Sequence, residues 1–120
     1  MLQMVLDALE VLRSPFALYE SDIHLTVEKR LREAGLPFEH EARIGKGCRI
    51  DYLVGNVGIE IKKGKPTPSV LIGQLRRYAA CEGIEALVVL TQRSVTLPSS
   101  VAGVPVAVLS LNRLWGVALP

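Results

Sequence analysis

Two acidic residues and one lysine near the middle of this sequence have the types and spacing that metal-assisted chemistry requires. Residues 49–63 read as two short strands joined by a tight turn, and the register of that hairpin places Asp51 directly opposite Glu60. Lys62 follows Glu60 by two residues, so its side chain should lie on the same side of the sheet. The three charged groups are therefore predicted to form one cluster.

The predicted pairing of Asp51 with Glu60 favours a bound divalent cation. Like charges directly opposite each other on paired strands are destabilising, and close carboxylates raise the pKa of one of them unless a cation lies between them. Mg²⁺ takes one or two carboxylates and keeps its other positions for water and phosphate oxygens. The Lys62 ammonium group is then placed to orient or deprotonate a water, or to neutralise a phosphate.

The hairpin that positions this cluster is predicted to have one apolar and one polar side. Gly55-Asn56 is a glycine-first pair, which suits a type II′ turn. Alternation along the two strands predicts an apolar side that consists of Ile50, Tyr52, Val54, Val57, Ile59 and Ile61. The charged residues share the opposite side with Leu53 and Gly58. One face should therefore be buried while the other presents the charged cluster.

The string of Asp51, eight residues and then Glu60-Ile61-Lys62 resembles the central motif of the PD-(D/E)xK nuclease superfamily. This superfamily has the restriction-endonuclease-like fold and includes restriction enzymes, archaeal Holliday junction resolvases, VRR-NUC domains and RecB-type exonucleases. The resemblance covers residues 18–110. It implies that Asp51, Glu60 and the main-chain carbonyl of Ile61 hold Mg²⁺ or Mn²⁺ and that the chain hydrolyses DNA phosphodiester bonds.

A second motif lies downstream, where Gln74-Leu-Arg-Arg-Tyr78 is similar to the QxxxY motif of the RecB and lambda-exonuclease branch. The two named residues are four apart and so share one face of a helix. The resemblance implies that Lys62 aligns the attacking water and that Gln74 hydrogen-bonds that water, a phosphate oxygen or Lys62. Tyr78 is predicted to contact the DNA backbone, with a half-buried core tyrosine as the alternative.

A helix over residues 19–34, ending at Gly35, is predicted before the first strand. The resemblance implies that this helix contributes a glutamate to the metal site. Glu20 is the candidate by position and Glu28 is the reserve, whereas the alternative is that both are ordinary exposed helix charges. An earlier helix over residues 2–13 precedes the resembling region.

The remaining elements are predicted from hydrophobic pattern and turn residues. Residues 38–44 alternate as a strand that pairs with the first hairpin strand, with Phe38, His40, Ala42 and Ile44 on one face. A helix is predicted to start at Thr67-Pro68 and to run to about residue 82.

Two continuous apolar runs, residues 84–90 and 104–109, are typical of central strands covered on both faces. A helical turn is expected near residues 97–101. The whole pattern predicts an α/β domain with a mixed sheet flanked by helices in the order αβββαβ. One domain should span residues 1–120, with a helical extension over 1–15, a core over 18–110 and a tail over 111–120.

Basic residues concentrate around the acidic pair, since residues 43–77 hold eight basic residues and only the two acidic ones already named. A basic strip around an acidic pair is what an enzyme acting on a phosphate backbone needs. A solvated basic face is the alternative. The predicted DNA contacts are Lys46, Arg49, Lys63, Lys65, Arg77 and Tyr78. Such contacts fix register without reading bases, so preference for DNA structure over sequence is expected.

Composition and absent motifs exclude several classes. Cys48 and Cys81 have no metal-ligand spacing, which is consistent with a reducing cytoplasm, and no run predicts a membrane span or a signal peptide. No glycine-rich phosphate loop is present, so no nucleotide cofactor is expected. A domain of 120 residues should need a partner to hold a duplex, which favours a homodimer. The alternatives are an exonuclease or nickase, and a DNA-binding module that does not cleave. By family analogy alone, a phage or prokaryotic repair and recombination setting is expected.

Overall fold

A computed structural model describes residues 1–10 and 20–111 of the chain, without the side chains of Glu20 and Ser21. It has an α/β architecture, as predicted. Within the described residues, three helices are present: α1 (Leu2–Leu9), α2 (Glu20–Glu33) and α3 (Pro68–Ala79). Six strands form the sheet: β1 (Glu39–Gly45), β2 (Cys48–Val54), β3 (Val57–Lys62), β4 (Ala86–Thr91), β5 (Ser100–Val101) and β6 (Val104–Ser110).

The six strands lie in the spatial order β1-β2-β3-β4-β6-β5. The first three form an antiparallel meander, whereas β3, β4 and β6 run parallel to one another. The short β5 pairs antiparallel with β6. Because α3 connects the parallel strands β3 and β4, it lies across one face of the sheet directly after the strand that carries Glu60 and Lys62.

Two hydrophobic cores cover the two faces of the sheet. The α2-side core joins α1 and α2 to side chains that include Tyr52, Ile59 and Leu90. The α3-side core joins α3 to side chains that include Leu87 and Val89. All six residues of β4 are buried, which confirms that 84–90 contains a central strand. In β6 only Val106 is buried, so the second apolar run is less covered than predicted.

The central hairpin has the predicted turn and register. Val54 pairs with Val57 and Tyr52 pairs with Ile59. Gly55 has a φ of 60°, and Asn56 is not among the residues with positive φ, which is the pattern of a type II′ turn. This turn fixes the register that brings Asp51 close to Glu60.

The prediction that Ile50 shares a face with Tyr52 is wrong. Ile50 lies in the α3-side core, whereas Tyr52 lies in the α2-side core. On β1, Glu41 lies between His40 and Ala42, which pair with Tyr52 and Ile50, and it has a φ of 51°. The distorted backbone at this point changes which side the following residues face. A Cβ at Gly58 would lie 2.5 Å from Ile50 Cδ1, so the glycine makes room for the displaced side chain.

The same switch corrects the prediction for β1. Phe38 packs against the α2-side core and His40 stacks on Tyr52, but Ala42 and Ile44 belong with the α3-side core. The four residues therefore do not share one face. Strict alternation fails because a positive φ at Glu41 turns the chain over between His40 and Ala42.

Several boundaries differ from the predictions or cannot be compared with them. Residues 97–101 contain the short strand β5 rather than a helical turn. The first helix ends at Leu9, and the remainder of the predicted extension and most of the 111–120 tail lie outside the described residues. Within the part of the chain that the structure describes, no helix has the length and apolar character to cross a membrane.

Candidate functional site

The candidate site lies where the main-chain pairing of β2 and β3 stops. Paired Cα positions extend from the turn only as far as Tyr52 and Ile59. Beyond this point two carboxylates replace main-chain partners: Ile61 N donates to Asp51 Oδ2 at 2.8 Å, and Asp51 N donates to Glu60 Oε1 at 3.3 Å. The strands are therefore joined through their acidic side chains at the position that the sequence predicted for the carboxylate pair.

Glu60 is held by donors from α3 and from its own strand. Its side-chain Oε2 accepts from Gln74 Nε2 at 2.9 Å and from the Tyr78 hydroxyl at 3.0 Å. Lys62 Nζ lies 3.3 Å from the same oxygen. The residue is only 4% exposed, so three donors converge on a carboxylate that is nearly withdrawn from water. The structure thus brings together Asp51, Glu60, Lys62, Gln74 and Tyr78.

Burial raises the pKa of Glu60 to about 7 from its ordinary value of 4.5. The nearby charge of Asp51 raises it further, while the Lys62 ammonium and the Tyr78 hydrogen bond lower it. This is the behaviour expected of two close carboxylates when burial and like charge outweigh a single neighbouring ammonium group. At neutral pH a proton or a cation can therefore occupy the position between them.

Gln74 and Tyr78 form the framework that orients Glu60. The Gln74 amide uses both of its N–H groups, one on Glu60 and one on the Tyr78 hydroxyl at 2.8 Å. The Tyr78 hydroxyl also lies 3.2 Å from the main-chain carbonyl of Arg49. Burial and the adjacent Glu60 carboxylate raise the pKa of Tyr78, so this hydroxyl keeps its proton and donates.

The donor set fits a hard divalent cation with few protein ligands. Among residues 1–10 and 20–111, no group of three or more His, Cys, Asp or Glu side chains is arranged to hold a metal. The fit therefore rests on Asp51, Glu60 and the carbonyl of Ile61. Because the N–H and C=O of one strand residue point to the same side, the Ile61 carbonyl faces the same gap as its N–H. Mg²⁺ accepts such a set with water completing it.

Glu20 and Glu28 are the two candidates for a third metal ligand, and only the side chain of Glu28 is described. The side chain of Glu20 lies outside the described residues. Glu28 lies on the α2 side of the sheet, where Tyr52 donates to its Oε2 at 2.7 Å and Arg32 donates to its Oε1 at 3.0 Å. Glu28 is therefore engaged away from the cluster around Glu60.

The predicted DNA contacts are mostly exposed side chains. Exposed basic residues around the site are Lys46, Arg49, Lys63, Lys65 and Arg77. Tyr78 is only 4% exposed and its hydroxyl is bonded to Glu60, which agrees with the alternative of a core tyrosine. The DNA contact of Tyr78 stays a prediction.

Thr91 is a polar residue of the site that the sequence reasoning missed. It ends β4, with Lys62 as its register partner on β3 and Ser110 on β6. Its hydroxyl is buried and has no hydrogen-bond partner among the described residues. Ligands of open α/β sheets bind at the carboxyl ends of parallel strands. A polar residue closing the apolar run Ala86–Leu90 was the signal that could have revealed it.

Comparisons with protein-family models, with curated proteins and with solved structures find no match to this chain.

Proposed function

We propose that this chain is a restriction-endonuclease-like nuclease that hydrolyses DNA phosphodiester bonds with Mg²⁺ or Mn²⁺. The observation that carries the proposal is the convergence of Asp51 and Glu60 at the opening between β2 and β3, with Lys62 beside them. The element order from α2 to β4 is α, three strands, α and a strand, which supports the αβββαβ arrangement of that fold.

The carboxylates and the carbonyl would hold the ion between the two strands. Asp51 is fixed by the N–H of Ile61, and Glu60 is fixed by Gln74 and Tyr78, so neither carboxylate needs to be reorganised when the cation binds. When bound, the ion supplies Lewis-acid stabilisation of the developing phosphorane charge and makes a nearby water more acidic.

Lys62 is the residue best placed to act on the attacking water or on a phosphate oxygen. Its ammonium group lies beside Glu60, and the side chain is 31% exposed, so it is accessible from the solvent side of the site. Gln74 and Tyr78 touch Glu60 rather than solvent, and they act as positioning residues. In this proposal the Lys62 ammonium group acts at the reacting phosphate or water, while Gln74 and Tyr78 hold Glu60 in position.

The exposed basic residues around the site would bind phosphates without reading bases. Lys46, Arg49, Lys63, Lys65 and Arg77 supply this surface. A structure-selective endonuclease of the Holliday junction resolvase type, acting as a homodimer, is the leading subtype. The Gln74 and Tyr78 pair on Glu60 favours a second candidate, an exonuclease or nickase of the RecB-like branch.

Cleavage of a panel of labelled DNAs tests the proposal. The panel contains a four-way junction, a splayed arm, a linear duplex and a single strand, each incubated with Mg²⁺ or Mn²⁺ and with a chelator. We expect the wild type to cut and Lys62→Ala to lose at least about 100-fold in rate, since one group acting on the transition state is worth that much. Lys29→Ala is the matched control, because Lys29 is an exposed lysine on α2.

The pattern across the panel separates the two subtypes. Cutting of the junction alone indicates a resolvase, whereas stepwise shortening from an end indicates an exonuclease. Salt-sensitive binding without cleavage by either protein would show a DNA-binding module instead. Absence of both binding and cleavage, with the ion bound or not, would overturn the proposed function.

A further inference from the structure

Two arginines stand directly opposite each other next to the β1–β2 turn. Arg43 and Arg49 are register partners on the two strands, and both side chains are exposed. Like charges in directly opposed positions destabilise a strand pair. In the part of the chain that the structure describes, neither arginine forms an ion pair with an acidic residue. The pair therefore has an unbalanced positive charge at a fixed point of the fold.

The arginines border a concave surface. A cavity of about 390 Å³ is lined by Arg43, Gly47, Cys48 and Arg49. Gly47 has a φ of 70° and contributes no side chain, so a ligand can approach its backbone closely. Lys46 in the same turn is exposed and adds a third positive charge. The cavity thus combines forked donors with open backbone, which suits a compact anion.

The cavity is connected to the carboxylate pair through β2 and the Tyr78 hydroxyl. Arg49 precedes Asp51 by two residues on β2, a separation of roughly 7 Å along a strand. The main-chain carbonyl of Arg49 lies 3.2 Å from the Tyr78 hydroxyl, which also contacts Glu60. Arg43 and Arg49 alternate with residues of the α3-side core, so their side chains face the α2 side of the sheet at the same end of the hairpin as the carboxylates.

We infer that Arg43 and Arg49 act as a clamp that holds one phosphate group of a nucleic-acid backbone on the α2 side of the sheet, near the end of the hairpin that carries Asp51 and Glu60. This inference rests on the proposed function and specifies how its substrate is placed. One phosphate between two guanidinium groups removes the repulsion between them and uses both donor forks. Free inorganic phosphate has the same chemistry, so the test includes it as a separate ligand.

The salt dependence of duplex binding, measured without divalent ion, tests whether one phosphate is shared. Each duplex phosphate neutralised contributes about −0.9 to the slope of log K against log salt concentration. We expect Arg43→Ala and Arg49→Ala each to reduce the magnitude of the slope by less than about 0.9, because the remaining arginine still contacts the phosphate, and the double variant to reduce it by about 0.9 in all. Lys29→Ala should leave the slope unchanged. A double variant that reduces the magnitude by about 1.8, which is the contribution of two phosphates, would show two independent contacts and overturn the clamp.

Titration with inorganic phosphate, followed through the side-chain Nε–H resonances of arginine, separates the clamp from the proposed function. Saturable shifts of Arg43 and Arg49 together, with DNA binding but no cleavage by the wild type, support the clamp while the nuclease proposal fails. The same shifts without DNA binding would show a site for free phosphate only and overturn the clamp. Cleavage by the wild type with unchanged slopes in the variants overturns the clamp alone. Absence of shifts in both arginines at saturating phosphate overturns it as well.

A folding control accompanies both arms. Because the two charges repel each other in the free protein, Arg43→Ala should not lower the unfolding midpoint. A large loss of stability would show that Arg43 has a structural partner, which contradicts the unbalanced pair on which the clamp depends.

Discussion

The two faces of the sheet each hold a glutamate that accepts a hydrogen bond from a buried tyrosine, yet the two glutamates titrate in opposite directions. On the α3 side, the Tyr78 hydroxyl lies 3.0 Å from Glu60, whose pKa is raised to about 7. On the α2 side, the Tyr52 hydroxyl lies 2.7 Å from Glu28, whose pKa is lowered. A tyrosine donor alone therefore does not decide the ionisation of its partner.

The surroundings of the two carboxyl groups explain the difference. Glu60 is more deeply buried and has Asp51 as a neighbour, so desolvation and like charge outweigh Lys62 and its hydrogen bonds. The Tyr52 hydrogen bond has the largest effect on the pKa of Glu28 and lowers it. Arg32 and His40 lower this pKa as well, and together these effects outweigh burial, which raises it. Glu28 thus behaves as an ion-paired structural carboxylate.

The comparison separates a carboxylate with a lowered pKa from one with a raised pKa, and the proposed function uses only the second. On the α2 side, Tyr52 is also stacked on His40, and His24 Nδ1 lies 3.3 Å from His40 Nε2. Each group there has a partner within the protein. Around Glu60 the nearest charges are the Asp51 carboxylate, which raises the pKa of Glu60, and the Lys62 ammonium group, which only partly offsets it.

Opposite pH dependence of stability is the largest effect expected from this difference. The raised pKa of Glu60 stabilises the folded state below pH 4.5, and this contribution is lost as pH rises to about 7, a change on the order of 3 kcal/mol. The lowered pKa of Glu28 stabilises above its unfolded value near 4.5 and is lost as pH falls. Denaturant unfolding of wild type, Glu60→Gln and Glu28→Gln across this range measures both.

The expected signs are distinct for the two variants. Relative to wild type, Glu60→Gln should gain stability as pH rises towards 7, whereas the cost of Glu28→Gln should shrink as the solution becomes more acidic. Millimolar Mn²⁺ should stabilise the wild type at neutral pH and leave Glu60→Gln unaffected. Parallel pH curves for wild type and Glu60→Gln would remove the distinction between the two faces.

The sequence was sufficient for the elements whose signals are local. The Gly55-Asn56 turn set the hairpin register, so the meeting of Asp51 and Glu60 followed from counting residues. Gln74 and Tyr78 were placed on one helix face by their spacing, and the structure turns that face towards Glu60. These features depend on short-range geometry, which the spacing of residues in the sequence reveals directly.

Features that depend on a local backbone distortion were not predictable from alternation. The positive φ at Glu41 is not encoded by a glycine, so nothing in the sequence marked the change of face that moves Ile50 to the α3 side. Likewise the burial of Tyr78 was left open, because sequence spacing gives a helix face but not the depth at which a side chain is buried. Whether the Thr91 hydroxyl has a partner among the described residues depends on side-chain packing, which the sequence does not reveal.

Removing the two tyrosine hydroxyls gives an intermediate effect. Tyr52→Phe removes the main influence that lowers the pKa of Glu28, so that pKa should rise and stability should fall by about 2 kcal/mol, since the hydrogen bond is to a charged group. Tyr78→Phe should raise the pKa of Glu60 further at a smaller cost, about 1 kcal/mol, because Gln74 and Lys62 remain on the same oxygen.

Carboxyl-carbon NMR titration of Glu28 and Glu60 in both variants measures these shifts residue by residue. Each tyrosine variant should move only the glutamate on its own face, since the sheet lies between the two clusters. If Tyr52→Phe moved the titration of Glu60 as far as that of Glu28, the two faces would form one electrostatic system and the comparison would fail.

The smallest expected change in stability comes from Thr91→Val, which removes a single buried hydroxyl. Thr91 is fully buried and has no hydrogen-bond partner in the described part of the chain, so replacing its hydroxyl by a methyl group should raise the free energy of unfolding by about 1 kcal/mol. Thr26 on α2 is the matched control, because its Oγ1 donates to the carbonyl of Asp22 at 2.9 Å and Thr26→Val should gain nothing. Denaturant unfolding of both variants measures the difference.

An unsatisfied hydroxyl beside Lys62 lowers stability, so its presence would need a functional reason. A Thr91→Val protein that is more stable but cleaves DNA more slowly would show that Thr91 contributes to the proposed nuclease activity. Loss of stability in Thr91→Val would instead show that its hydroxyl is satisfied, and the α3 side would then be as fully partnered as the α2 side.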